Sequence, residues 1–109
     1  MEDFTVSSDI IRGHIDTIIL KLLSENDKYG YQISKMISTA TNGEYELKEA
    51  TMYSSLKRLE KDGFIVSYWG DETQGGRRRY YKITEAGRKL YSRNKNNWEY
   101  VKQIIEKLI

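Results

Sequence analysis

Two short runs rich in β-branched and aromatic residues, Phe64–Trp69 and Tyr80–Ile83, sit in a chain whose other apolar residues recur at helical spacing. The stretch between them contains Gly75-Gly76, which a β-hairpin can use as its turn. A single hairpin among helices leaves few architectures. Ser8-Asp9 supplies capping oxygens ahead of Ile11, Ile15, Ile18, Ile19, Leu22 and Leu23, predicting one helix that stops near Ser24–Asp27. A second helix is expected from about Tyr29 to Thr41, with Ile33, Met36, Ile37 and Ala40 on one face and Asn42-Gly43 as its stop. Glu44–Leu47 reads as an extended connector. A third helix covers about Glu49–Asp62, with Met52, Leu56 and Leu59 inward and Gly63 ending it. After the hairpin, Thr84 caps a last helix running almost to Ile109, in which Gly87 costs some helix stability.

The order is helix, helix, helix, hairpin, long helix. This predicts a mainly α fold with a small β-hairpin (α+β): a winged helix-turn-helix with a C-terminal dimerisation helix. Residues 8–83 form the winged-helix unit and residues 84–109 the dimerisation helix, together one structural unit. At 109 residues with 39% hydrophobic and 31% charged side chains, the core is modest, and part of the burial is expected from a partner chain. No apolar run approaches the roughly 20 residues of a membrane span, and Met1-Glu2-Asp3-Phe4 does not open a secretory signal. The absence of cysteine excludes disulfides and thiolate metal sites. These features predict a cytoplasmic protein.

Catalytic arrangements are missing. The lone histidine, His14, sits beside apolar positions of the first helix, where a structural or solvent-facing role is expected. Gly70–Gly76 lacks the following Gly-Lys-Ser/Thr and helix of a phosphate loop. Glu44 and Glu46 alternate along an extended segment as solvated surface. No enzyme, cofactor or metal is expected.

The charge distribution points to nucleic acid. The net charge is only +2, but residues 71–93 hold seven basic and three acidic side chains, a local charge of +4. On the third helix Ser54, Lys57 and Lys61 fall opposite the apolar side, flanked by Thr51, Tyr53 and Arg58. Hydroxyl, phenol and cation can bond phosphates and base edges. An ordinary amphipathic surface helix would look similar, and the hairpin shifts the balance. Arg77, Arg78 and Arg79 place three guanidiniums beside its turn, suited to phosphates or a narrow minor groove. The expected DNA-binding set is Lys48, Thr51, Tyr53, Ser54, Lys57, Arg58, Arg77, Arg78 and Arg79, facing a double-stranded operator. A winged-helix protein-interaction module without DNA binding is the rival reading, separable by the salt dependence of binding.

The last helix reads differently. Tyr91, Asn94, Trp98, Val101, Ile105 and Leu108 are spaced 3, 4, 3, 4, 3, the a/d repeat of a coiled-coil seam. Tyr91, Trp98, Val101, Ile105 and Leu108 are therefore the expected homodimer contacts, although this helix could also fold back on its own domain. A two-fold dimer would supply two DNA-reading helices at once.

Several stretches resemble one family in order and spacing. Lys28-Tyr29-Gly30-Tyr31-Gln32-Ile33, the run from Glu49 to Gly63 with Tyr53-Ser54 inside it, Gly75-Gly76-Arg77-Arg78-Arg79-Tyr80-Tyr81 and Thr84-Glu85-Ala86-Gly87 are similar to the PadR family of bacterial regulators, over about residues 10–92. The single short C-terminal helix resembles the smaller subfamily, which includes multidrug-responsive repressors. The resemblance implies a winged helix, a dimer through the last helix, and repression relieved by a small molecule, with Tyr53 and its polar neighbours on the operator. Many members have proline where this chain has Ser54. In the drug-responsive members a tryptophan matching Trp98 stacks on flat aromatic ligands, and a carboxylate lies one turn on, where this chain has Lys102. Trp98 thus has two readings: core of the dimer, or platform for a planar aromatic effector bordered by Val101 and Asp16. Lys102 biases such a site toward neutral or anionic aromatics, with Asp16 as an offset. A regulator with a filled dimer centre and no ligand remains the other branch.

Overall fold

The computed structural model describes residues 4–70 and 77–109. The expected Gly75-Gly76 turn lies outside them. The elements are α1 (Ser8–Ile11), a 3-10 turn (Arg12–His14), α2 (Ile15–Glu25), β1 (Lys28–Tyr29), α3 (Gly30–Ala40), α4 (Glu49–Lys61), β2 (Ile65–Trp69), β3 (Arg79–Ile83) and α5 (Glu85–Leu108).

The helix expected from Ser8 to Ser24 is broken. Ser7 caps α1, accepting the Asp9 N–H at 3.2 Å, and Arg12–His14 tighten into 3-10 geometry before α2 begins. Neither α1 nor the 3-10 turn buries a residue. Without core packing to hold the wider α pitch, a segment containing Gly13 tightens at little cost.

From Ile15 onward the helical stripe is buried: Ile15, Ile19, Leu20 and Leu23 meet Ile33 and Ile37 of α3 and Met52, Leu56 and Leu59 of α4. Each such side chain contributes about 1.5–3 kcal/mol relative to exposure. Met36 and Ala40, expected on the buried face of α3, lie outside this core, Met36 being exposed. Its 3.6-residue stripe is narrower than the apolar sequence because α3 is covered on one side only.

Both helix stops use left-handed glycine. Gly43 (φ +79) donates to Ser38 O at 2.8 Å, and Gly63 (φ +82) precedes Phe64, which donates to Leu59 O at 2.9 Å.

The sheet has three strands, where a two-stranded hairpin was expected. β2 and β3 pair antiparallel from Ile65↔Ile83 to Trp69↔Arg79, and β1 adds to the other edge of β3 through Lys28↔Tyr81 and Tyr29↔Tyr80. Lys28 is buried, its Nζ donating to the carbonyls of Leu22 and Asn26 and to Asn26 Oδ1. A buried ammonium requires this many acceptors. They also tie β1 to the end of α2.

Thr84 caps α5, accepting the Gly87 N–H at 3.1 Å and donating to Gly63 O at 2.8 Å. Gly87 is more than a weak helix residue. A Cβ there would lie 2.1 Å from Phe64 O, so glycine is what lets α5 leave the hairpin at this angle. Beyond Gly87 no residue of α5 is buried; Leu90 and Tyr91 pack partly on the core. Asn94 Nδ2 donates to Thr17 Oγ1 at 3.0 Å, joining α5 to α2.

Candidate nucleic-acid interface

α3 and α4 form the helix-turn-helix, and the polar side of α4 turns outward. Lys48, Thr51, Tyr53, Ser54, Lys57, Arg58 and Lys61 are all exposed, because Met52, Leu56 and Leu59 are claimed by the core. α4 needs no side-chain cap: Lys48 begins it in extended geometry, and the Lys48 carbonyl accepts the Met52 N–H at 2.9 Å. Its first-turn donors therefore face outward, an orientation that suits phosphate.

Tyr53 rests over Gly30, the first residue of α3. A Cβ at Gly30 would lie 2.4 Å from the phenol oxygen. The close approach brings Tyr53 into a cleft of about 380 Å³ with Tyr29, Tyr31, Tyr81, Arg78 and Arg79. The recognition helix and the hairpin thus share one surface.

The three hairpin arginines have distinct surroundings. Arg77 lies over the Trp69 ring at 5.5 Å and Arg78 over the Tyr29 ring at 4.6 Å. Cation–π contact of this kind holds a guanidinium while leaving its edge N–H groups available. Tyr29 and Tyr68 flank Tyr80, edge-on at 5.5 Å and stacked at 5.7 Å. The Tyr68 phenol donates to Asp27 Oδ2 at 2.6 Å, and that bond raises its pKa above the ordinary value, keeping it a donor. Arg79 turns back into the domain, donating to Ser67 Oγ at 2.8 Å and to Glu60 Oε1 at 3.1 Å. Arg58 is likewise committed: its Nη2 donates to Asp16 Oδ1 at 2.6 Å and to Ser55 Oγ at 3.3 Å.

Tyr29, Tyr31 and Trp69 are neighbours of this surface that the sequence reading did not assign. The tyrosine-rich run from Tyr29 to Tyr31 was the available signal, but its proximity to the hairpin depends on β1.

A second site lies on the opposite side of α2. Trp98, Val101 and Ile105 of α5, with Ile10 of α1, border an open pocket of about 350 Å³ whose other walls include His14 and Asn97. The His14 ring meets the Trp98 ring edge-on at 4.6 Å, a contact the sequence did not show. Asp16 is not among the lining residues; its carboxylate is turned toward Arg58. Lys102 pairs with Glu99 at 3.3 Å. Along the expected seam Trp98, Ile105 and Leu108 are exposed, while Tyr91 and Val101 are half-buried.

Among the described residues no group of three His, Cys, Asp or Glu could hold a metal ion, and no helix is long and apolar enough to cross a membrane.

A helix-turn-helix followed by a basic antiparallel hairpin defines the winged-helix class of DNA-binding proteins. Residues 19–93 match the Transcriptional regulator PadR-like family, and the chain belongs to that family. Its members are non-enzymatic transcription factors, generally DNA-binding and typically dimeric. The chain is 50% identical over 101 residues to an uncharacterized protein of Lysinibacillus sphaericus, covering 93% of each. It is 51% identical to a transcriptional regulator from Clostridium thermocellum (TM-score 0.89), over 96% of this chain and 99% of that one. A PadR family transcription regulator from Clostridium difficile is 38% identical with TM-score 0.76, over 88% of this chain and 98% of that one.

Proposed function

We propose that this chain is a homodimeric, sequence-specific repressor that acts on an operator in the cytoplasm and is released by a small aromatic effector. The observation that carries the DNA reading is the shared surface of Tyr53 with Arg78, flanked by Arg77. α4 enters the major groove with Thr51, Tyr53, Ser54 and Lys57, while Arg77 and Arg78 reach phosphates or the adjacent minor groove. Lys48 lies at the start of α4, where a phosphate would sit. Arg58 and Arg79 contribute by holding α4 to α2 and to the hairpin, and contact DNA only by exchanging those partners.

The elongated shape supports the homodimer. The radius of gyration is 15.5 Å, against about 13 Å for a compact domain of this length. The 24-residue α5 extends about 36 Å, with its apolar seam uncovered past Tyr91. We assign residues 8–83 to DNA binding and 84–109 to dimerisation. The pocket beside Trp98 adjoins this seam, so a planar ligand bound there would alter how the two copies, and hence their α4 helices, are spaced. A ligand shifts DNA affinity only through its differential affinity for the two arrangements.

Genome-wide capture of bound DNA would supply the operator, and titration across a salt series the test. Replacing Arg77 and Arg78 by alanine is expected to weaken binding and flatten the salt slope by up to about 1.8, at about 0.9 per lost phosphate contact. Unchanged affinity and slope would remove the hairpin from the interface.

A further inference from the structure

We infer that the pocket beside Trp98 selects an uncharged planar aromatic carrying both a hydrogen-bond donor and an acceptor, and discriminates against cationic and anionic aromatics alike. This rests on the effector reading above and specifies its chemistry.

The walls are apolar on one side, with Trp98, Val101 and Ile105, and polar on the other, with His14, Thr17, Asn94 and Asn97. None of the described lining residues is Asp, Glu, Lys or Arg. The charges that could reach it from the packed elements are neutralised in pairs. Asp9 is bound to Arg12 at 3.2 Å on the α1 side, Asp16 to Arg58 at 2.6 Å on α2, and Glu99 to Lys102 at 3.3 Å on α5. Lys102 therefore does not set the preference that the sequence suggested for it, nor does Asp16 offset it. A second copy packed along the α5 seam brings the same three pairs and adds no net charge from them.

An ion entering such a site loses hydration and gains no counter-charge. A neutral ring loses little and keeps its polar edge bonded. The Asn97 amide offers a donor and an acceptor together. Asn94 already spends one N–H on Thr17 Oγ1, an arrangement that leaves its amide oxygen as an acceptor. Trp98, held edge-on by His14, supplies the apolar face for the ring.

The test uses the Trp69→Phe full-length protein, so that Trp98 is the sole tryptophan, and calorimetric titration with four two-ring probes. These are 2-quinolinone (neutral donor and acceptor), 1-methylquinolinium (cation), quinoline-2-carboxylate (anion) and naphthalene (no polar edge). Quinolinone is expected to bind about tenfold tighter than each of the others, with its binding quenching Trp98 fluorescence. Asn97→Leu is expected to bring quinolinone to within about twofold of naphthalene; unchanged naphthalene binding verifies that the pocket is intact. Tighter or equal binding of either ion overturns the neutrality argument, and naphthalene matching quinolinone in the parent overturns the hydrogen-bonding one. Both outcomes leave the effector reading standing. Failure of all four to bind overturns this inference and the effector reading together.

Discussion

Gly87→Ala sets two effects of known size against each other. In an isolated helix alanine is favoured over glycine by about 0.8–1 kcal/mol, and a first-turn position realises at most that gain. Against it stands the Phe64 carbonyl, 2.1 Å from the new methyl carbon, with Ile83 Cγ1 at 2.7 Å. The carbonyl is backbone, fixed by accepting the Thr84 N–H at 3.1 Å. Relief therefore requires moving the start of α5 by about 1 Å, and forced overpacking of this kind costs about 1–3 kcal/mol. The movement also strains two bonds of Thr84, from its N–H to Phe64 O and from its hydroxyl to Gly63 O, worth about 1 kcal/mol each. The net expectation is destabilisation by about 2 kcal/mol. At about 4–8 °C per kcal/mol for a domain of this size, the melting midpoint should fall by about 10 °C. Gly13→Ala is the control, since its Cβ meets nothing within 4 Å and should gain up to about 1 kcal/mol. Thermal and urea unfolding at one fixed protein concentration would measure both. A Gly87→Ala protein as stable as the parent would refute the steric argument.

Gly30→Ala should displace the Tyr53 phenol, whose oxygen lies 2.4 Å from the position of the new Cβ. Operator affinity should then fall more than thermal stability does, and equal affinity by fluorescence anisotropy would detach Tyr53 from DNA reading. Val101→Asp places a carboxylate on the proposed seam, where burying it without a partner costs several kcal/mol. Light scattering should show a folded monomer with greatly weakened operator binding, whereas a parent protein that is itself monomeric at micromolar concentration would sink the seam.

The local code was legible because each of its signals lies within a few residues. The period of Met52, Leu56 and Leu59 fixed which side of α4 is buried, and hence which side is exposed. Gly43, Gly63 and Thr84 marked helix boundaries through conformations and caps belonging to single residues. The two β-rich runs paired as neighbours do. Periodicity could not show β1, since two residues carry no period; it forms because β3 offers an open edge and the end of α2 offers acceptors for Lys28. It also could not show the break at Arg12–His14, which depends on how little of α1 the core covers. Contacts between residues distant in sequence were equally hidden: Asp16 with Arg58, His14 with Trp98, Thr17 with Asn94, and Gly87 beneath Phe64. Sequence alone determined which residues present charge and aromatic surface. Tertiary structure decided which of those charges are already paired, because pairing depends on the packing of α2 against α4 and α5 and no spacing along the chain encodes that distance.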